Sequence, residues 1–403
     1  MHYIFNNSWS SRLGIAYLAP YGVGLGHASR LVMVADQLKK SGIEVLFSSF
    51  GEAASYVRMH GYRCLTVPPM EFAWGADGGF SVKSSISNIP VWFTNFARQV
   101  NQEIRNMMAY CPDVVVSDSR LSPIVAAKIL RIPAIVVLNQ LKLLLSPRLR
   151  DFAVSRLFES MTAEVLGSMW ALAERVLIPD LPPPNTISWH NVWGTGSATR
   201  RLEYVGYTTP EQQPSVEATM RVAQSLGLDR SRPMVYVHIS GPSQTRASLL
   251  KIAQETAKLL EDKMQFIISE GRPGGQVEPR KIGSSTWYYE WCPVRDEVLA
   301  LSDLTVLRGG HVALSQAIRL GKPVVTIPIE NHSEQLGNST KVADIGIGIM
   351  LLPKNLEADK LARAIVEVLS TSQFSEKARE LQRKSEMADG IGNITKIVKA
   401  YCP

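Results

Sequence analysis

The 403-residue chain is poor in several features that would give a quick answer. It holds only four cysteines, Cys64, Cys111, Cys292 and Cys402, far apart and without a C-x-x-C pair. That spacing excludes a disulfide scaffold and a zinc ribbon, and it suits a reducing compartment. No apolar run approaches the roughly 18 residues that cross a bilayer. Residues 13–24, behind Arg12, have a faint leader-like character. They lack a small-residue cleavage site and open into a glycine turn, so they read as a buried strand. Dense basic runs and base-stacking aromatic motifs are missing, which argues against nucleic acid. There is no Asp-x-Asp pair for a divalent metal, no low-complexity tract and no short repeat.

What is present is ordinary in bulk. Hydrophobic residues make up 45% and charged residues 20%, so disorder, collagen and coiled coil fall away. The length suits two domains of about 150 to 200 residues each. The net charge of +7 is uneven, because residues 1–205 carry 19 basic and 14 acidic side chains. Such a bias fits surface lysines and arginines, an anionic membrane surface or a phosphorylated substrate.

Short apolar runs alternate with helical periodicity. Strands are expected at 14–20, 43–49, 62–67, 113–117 and 133–138, with helices at 28–40, 51–60 and 121–130. Runs apolar on both faces and separated by helices describe a parallel sheet covered on both sides, a doubly wound α/β domain. Residues 180–201 carry three consecutive prolines, Pro182 to Pro184, and neither period, so they mark irregular structure near a domain boundary. A second α/β series starts at Met234, with strands at 234–240, 264–269, 286–289, 304–307 and 323–327. Helices are expected there at 245–260, 294–301, 312–320 and 333–343, followed by three helical segments to Tyr401. The expected domains are 1–205 and 206–385, with a terminal helix at 386–403 able to cross back to the first. Their sheets would face each other across a cleft.

Four segments carry chemistry. Tyr21-Gly22-Val23-Gly24-Leu25-Gly26-His27 follows the first strand and opens a helix, with Gly24 and Gly26 allowing close backbone approach to a ligand. A dinucleotide site would want an acid closing the second strand, and Ser48-Ser49-Phe50 stands there instead. His27 at the helix start suits a general base, since an imidazole titrates near working pH. Ser117-Asp118-Ser119-Arg120 closes a buried strand, and Asp118 either orients His27 or caps the next helix. Gly241 and Ser243 belong to a polar turn able to offer amides and hydroxyls to a phosphate. The fourth segment runs from Trp291-Cys292-Pro293 through Arg308-Gly309-Gly310-His311, Gln316 and Gly321-Lys322-Pro323 to Glu334-Gln335-Leu336-Gly337-Asn338.

That ordered run resembles the donor-binding signature of GT-B nucleotide-sugar glycosyltransferases, above all the UDP-glycosyltransferases and the peptidoglycan N-acetylglucosaminyl transferase group. The resemblance implies two Rossmann-like domains and inverting, metal-independent transfer of a hexose or N-acetylhexosamine from a UDP-sugar to a hydroxyl. It puts Trp291 under the base and the Cys292 backbone on uracil. Arg308, Gly309, Gly310 and the helix at His311 fall beside the diphosphate, and Gln316 stands where a glutamate holds the ribose. Glu334 and Gln335 match the pair on the sugar hydroxyls, His27 the base and Asp118 its partner. The UDP-sugar is a substrate, so no cofactor is expected.

Two other classes share the layout, a UDP-GlcNAc 2-epimerase-like isomerase and a non-catalytic nucleotide-sugar-binding subunit. Trp291-Cys292-Pro293 favours a transferase, and the extra catalytic acids of the isomerase cannot be placed. Residues 89–98 and 141–150 mix apolar and basic side chains, as do segments lying in a membrane interface or helices packing on a sheet. The acceptor is accordingly a small molecule or lipid-linked. The protein is expected to be cytoplasmic, either free or peripheral on the inner membrane face.

Overall fold

The computed structural model describes residues 13–70, 89–142, 144, 153–193, 202–210, 213–241, 243–272 and 274–403. The first sheet contains β1 (Ile15–Pro20), β2 (Glu44–Ser49), β3 (Cys64–Thr66), β4 (Val114–Asp118), β5 (Ala134–Val137), β6 (Arg175–Ile178) and β7 (Leu202–Tyr204). Their order is β3-β2-β1-β4-β5-β6-β7 and every pairing is parallel. The second contains β8 (Met234–His238), β9 (Gln265–Ser269), β10 (Arg280–Lys281), β11 (Thr286–Tyr289), β12 (Leu304–Leu307), β13 (Val324–Thr326) and β14 (Gly348–Met350). Its order is β10-β11-β9-β8-β12-β13-β14, parallel except for the β10 edge. Both sheets are doubly wound, so each has a point where the strand order reverses. These points lie between β1 and β4 and between β8 and β12, the places where doubly wound sheets commonly bind ligands.

The apolar runs are buried because helices cover both faces. On one side of the first sheet, Leu31, Val34 and Leu38 of helix Gly26–Lys40 pack with Leu18, Phe47 and Val116. On the other, Met107 of helix Ile89–Tyr110, Ile124 of helix Ser122–Leu130 and Trp170 of helix Ala153–Trp170 pack with Tyr17, Val115 and Val136. The last helix, Gly390–Lys399, leaves the second domain and buries Ile391, Ile394 and Val398 in the first domain's core. Asn393 donates to the Val205 carbonyl at 2.9 Å and fixes that return.

Several elements fall outside the sequence expectation. The segments at 89–98 and 141–173 supply two long helices, Ile89–Tyr110 and Ala153–Trp170, while residues 143 and 145–150 lie outside the described set. Strands β6, β7 and β14 are four, three and three residues long. Runs that short carry too little periodicity to stand out. Within residues 180–193, the short helix Trp189–Val192 forms a contact between domains, which irregular sequence had concealed.

Candidate active site

The first domain builds an acid–base pair at its switch point. β1 runs into the glycine turn, where Gly24 stands at φ +75°, a conformation an L side chain resists. The turn delivers His27 as the second residue of helix Gly26–Lys40. Pro20 lies opposite Asp118 in the β1–β4 pairing, so the end of β4 sets the carboxylate beside the imidazole. His27 Nδ1 lies 2.7 Å from Asp118 Oδ1. Ser119, at φ 58°, donates its hydroxyl to the same oxygen at 3.1 Å as the chain leaves the sheet. Arg30, one helical turn after His27, places Nε 3.1 Å from Asp118 Oδ2.

Asp118 and Arg30 are fully buried, whereas 18% of the His27 side chain remains open. Burial alone would push the Asp118 carboxyl up. The Arg30 cation, then His27, outweigh it and hold the carboxyl below its ordinary value. An ionised Asp118 accepts from Nδ1–H, which leaves Nε2 as the basic nitrogen. The helix-cap alternative for Asp118 is not realised, because helix Ser122–Leu130 starts at Leu121 without a side-chain cap. Arg120 turns the other way and forms a buried ion pair with Glu103 under the sheet.

The second domain builds something different at the matching place. Arg308 follows β12 and is 5% exposed. Its Nη1 donates to the Thr245 carbonyl at 3.1 Å, and its buried Nε has no hydrogen-bond partner among the described residues. Burial alone drives its pKa down to about 10, because no carboxylate pairs with it among the described residues. Gly309 stands at φ +81°, and a Cβ there would come within 2.4 Å of Ser339 Oγ and 2.9 Å of the Gln335 carbonyl. That close turn leads through Gly310 into helix His311–Arg319, whose first amides have no side-chain cap among the described residues. A buried cation thus stands beside an uncapped helix N-terminus, which is an anion receptor.

The domains meet over these two turns. A Cβ on Gly26 would lie 3.5 Å from Val312 Cγ2, so the N-termini of the two helices approach each other. Asn139 donates to Glu334 Oε1 at 2.9 Å, and Gln140 to Ser333 Oγ at 2.8 Å. Asn191 donates to the Glu334 carbonyl at 3.1 Å and to Asn338 Oδ1 at 2.8 Å, and Asn338 donates to the Gly309 carbonyl at 3.0 Å. A chain of amides therefore ties the first domain to the Gly309 turn. Glu334 faces His332 and His27. Burial pushes its carboxyl up, and those imidazoles, the Asn139 amide and His311 hold it below its usual range.

Some expected contacts are differently committed. His311, assigned to the donor, aims its Nε2 at Asp180 of the first domain, 3.1 Å away, and is 2% exposed. Asp180 is itself held by the amides of Leu181, Ile187 and Ser188, so His311 closes a buried junction and offers only backbone to the turn. The Gln335 side-chain carbonyl accepts from the Ile329 amide at 2.8 Å, bracing the turn before its helix. Gln316 lines a crevice with Thr209, Gln213, Asp296 and Arg319. The Cys292 thiol is buried in the core, which pushes it up to about 12. Trp291 is half-buried after β11, and Ser243 is exposed in the turn after β8 where Gly241 stands at φ +112°. Arg30, Asn139, Asp180 and Asn191 were missed. Only Arg30 left a signal, three residues from His27 on the same helix face.

The glycosyltransferase family 28 C-terminal domain model matches residues 236–394, and the glycosyl transferase family 1 model matches residues 15–159. The crystal structure of the glycotransferase of kitacinnamycin superposes with TM-score 0.68 at 18% identity, covering 97% of this chain and 100% of that one. Spinosyn rhamnosyltransferase SpnG, solved with thymidine diphosphate, gives 0.65 at 19%, covering 96% and 100%. The class is therefore glycosyltransferase, on the two-domain GT-B fold. Within that class, an uncharacterized glycosyltransferase of Methanosarcina mazei is 25% identical over 376 residues, 92% of this chain and 93% of its own. The UDP-N-acetylglucosamine–N-acetylmuramyl-(pentapeptide) pyrophosphoryl-undecaprenol N-acetylglucosamine transferase 1 of Bacillus cereus is 24% identical over 384 residues, 93% of this chain and 95% of its own.

Proposed function

We propose that the protein transfers a hexose or N-acetylhexosamine from a UDP-sugar to a hydroxyl acceptor, with inversion at the anomeric carbon. The observation that carries this reading is Arg308, a buried guanidinium without a carboxylate partner among the described residues, beside an uncapped helix N-terminus. A diphosphate supplies the charge that this arrangement lacks, and it gains negative charge as it leaves the sugar. His27 Nε2 takes the acceptor's proton while the acceptor oxygen attacks the face opposite UDP. Asp118 stabilises the imidazolium that forms. Arg308 and the two helix dipoles stabilise departing UDP, so activity survives EDTA. The name of the Bacillus cereus relative, a UDP-sugar transferase, supports the donor. The test is a screen of UDP-sugars for UDP release against a panel of acceptors. UDP release with none of them, or a rate that collapses on chelation and returns with manganese or magnesium, defeats the reading.

A lipid-linked acceptor met at an anionic membrane surface is favoured by one feature. Leu157, Met161 and Val165 form an exposed stripe on helix Ala153–Trp170, and Val91 and Phe93 stand exposed on helix Ile89–Tyr110. Both helices belong to the half of the chain that carries most of the basic excess. Co-sedimentation with anionic but not neutral vesicles, weakened by Leu157→Glu with Met161→Glu, is expected. Equal recovery with and without vesicles removes the membrane.

A further inference from the structure

Arg30 is the largest completely buried side chain among the described residues. A guanidinium in such a place is costly unless a charge answers it. Its only ion pair among the described residues is with Asp118, the carboxylate that carries His27, and its Nε and Nη1 have no hydrogen-bond partner there. His27 and Arg30 lie three residues apart on one helix face, so a single turn of helix grips both oxygens of one carboxylate. We propose that Arg30 is a positioning residue for transfer. Its charge answers the buried Asp118, and through that carboxylate it holds His27 with Nδ1–H toward the sheet and opposes a proton on the pair. This rests on His27 being the base.

The electrostatics give the proposal a definite sign. The charged groups acting on Asp118 are Arg30 and His27, with the Ser119 hydroxyl bonded to it. Those facing His27 are Asp118, with Arg30 behind it, and the edge-on Tyr21 ring from its own domain, and Glu334 and His332 from the other. A cation this close opposes a proton on the His27–Asp118 pair. Removing it makes the pair hold its proton more tightly, so the base becomes available only at higher pH. A residue that merely filled space would leave that pH unchanged.

The experiment is a pH–rate profile of kcat/KM for wild type, Arg30→Met, Arg30→Gln and Arg30→Lys. The acid limb is expected to move up by about one pH unit or more in the two neutral variants, the usual scale for losing a nearby charge. In Arg30→Lys it stays near wild type. An unmoved limb in both neutral variants, or an equal shift in Arg30→Lys, overturns the role of Arg30. His27→Ala separates the two readings: abolished turnover keeps the base, and full turnover removes the base together with this proposal. A second measurement does not depend on Arg30 variants folding. In His27→Gln, Arg30 is the remaining cation, so carbon NMR should find Asp118 titrating below the ordinary carboxylate range. Titration at or above that range overturns the proposal.

Discussion

The two switch points use one backbone device for opposite electrostatic ends. In the first domain, strand, glycine turn and helix bring a histidine to Asp118, and every charge there is matched: Arg30 and His27 share one carboxylate. In the second, the turn at Gly309 brings up Arg308 and leaves its charge unmatched by any described carboxylate. A matched set holds its geometry before substrate arrives, which suits proton transfer. An unmatched buried cation raises the free energy of the empty site and lowers it when an anion enters. On the proposed function, pairing distinguishes the proton-handling side of the cleft from the leaving-group side.

The sharpest way to break this contrast is at His27. His27→Ala should lose roughly two to four orders of magnitude in turnover, the usual worth of a placed general base. UDP affinity should stay near wild type, because the residues proposed to hold the donor lie on the other domain. Asp118→Asn should also cut turnover, and the double variant should be no worse than His27→Ala. Comparable loss of UDP affinity in His27→Ala, read by calorimetry, would merge the two sides into one.

Stability should respond with opposite signs. Asp118→Asn leaves Arg30 buried without a counter-charge and should cost about 3–5 kcal/mol. Arg308→Leu removes an unmatched buried cation and should raise the Tm of the unliganded protein, while lowering UDP affinity about 10- to 100-fold, the scale of one charged hydrogen bond. Uridine affinity should barely change. Melting curves with and without UDP check both statements, and a Tm lowered in Arg308→Leu would show that its charge is answered after all.

Trp291→Ala tests the far end of the proposed donor site and should cost about 1–3 kcal/mol of UDP binding, borrowed from base–aromatic stacking. Equal UDP affinity in variant and wild type would take the base away from Trp291.

A last test concerns acid. Burial, with Arg295 and Arg246 beside it, brings His238 of the second domain from 6.5 down to about 3. Its folded value is depressed, so between those pH values the unfolded chain binds a proton that the folded one refuses. Stability falls as pH drops through that window. Asp118 is also depressed, but its stabilisation is full above the ordinary carboxylate value and is lost only as pH falls below it. Hydrogen exchange should therefore show the second domain loosening first on acidification, and the reverse order would contradict it.

Much of the scaffold was legible in the chain. The strand ends at Pro20 and Leu307, and within one residue that at Asp118, follow from apolar runs, and glycines beside His27 and Arg308 announce turns into helices, because period and turn chemistry are local. The doubly wound order then made a meeting of His27 and Asp118, 91 residues apart, an inference from pattern. The commitments of His311 to Asp180, of Glu334 to Asn139 and of Asn338 to the Gly309 carbonyl were decided only by the fold. Asp180 and His311 are 131 residues apart and Asn139 and Glu334 are 195, with neither periodicity nor spacing to relate them. Arg30 shows the same limit on one helix. Its spacing from His27 is written in the sequence, but its charge meets a partner only where β4 ends in a fully buried carboxylate.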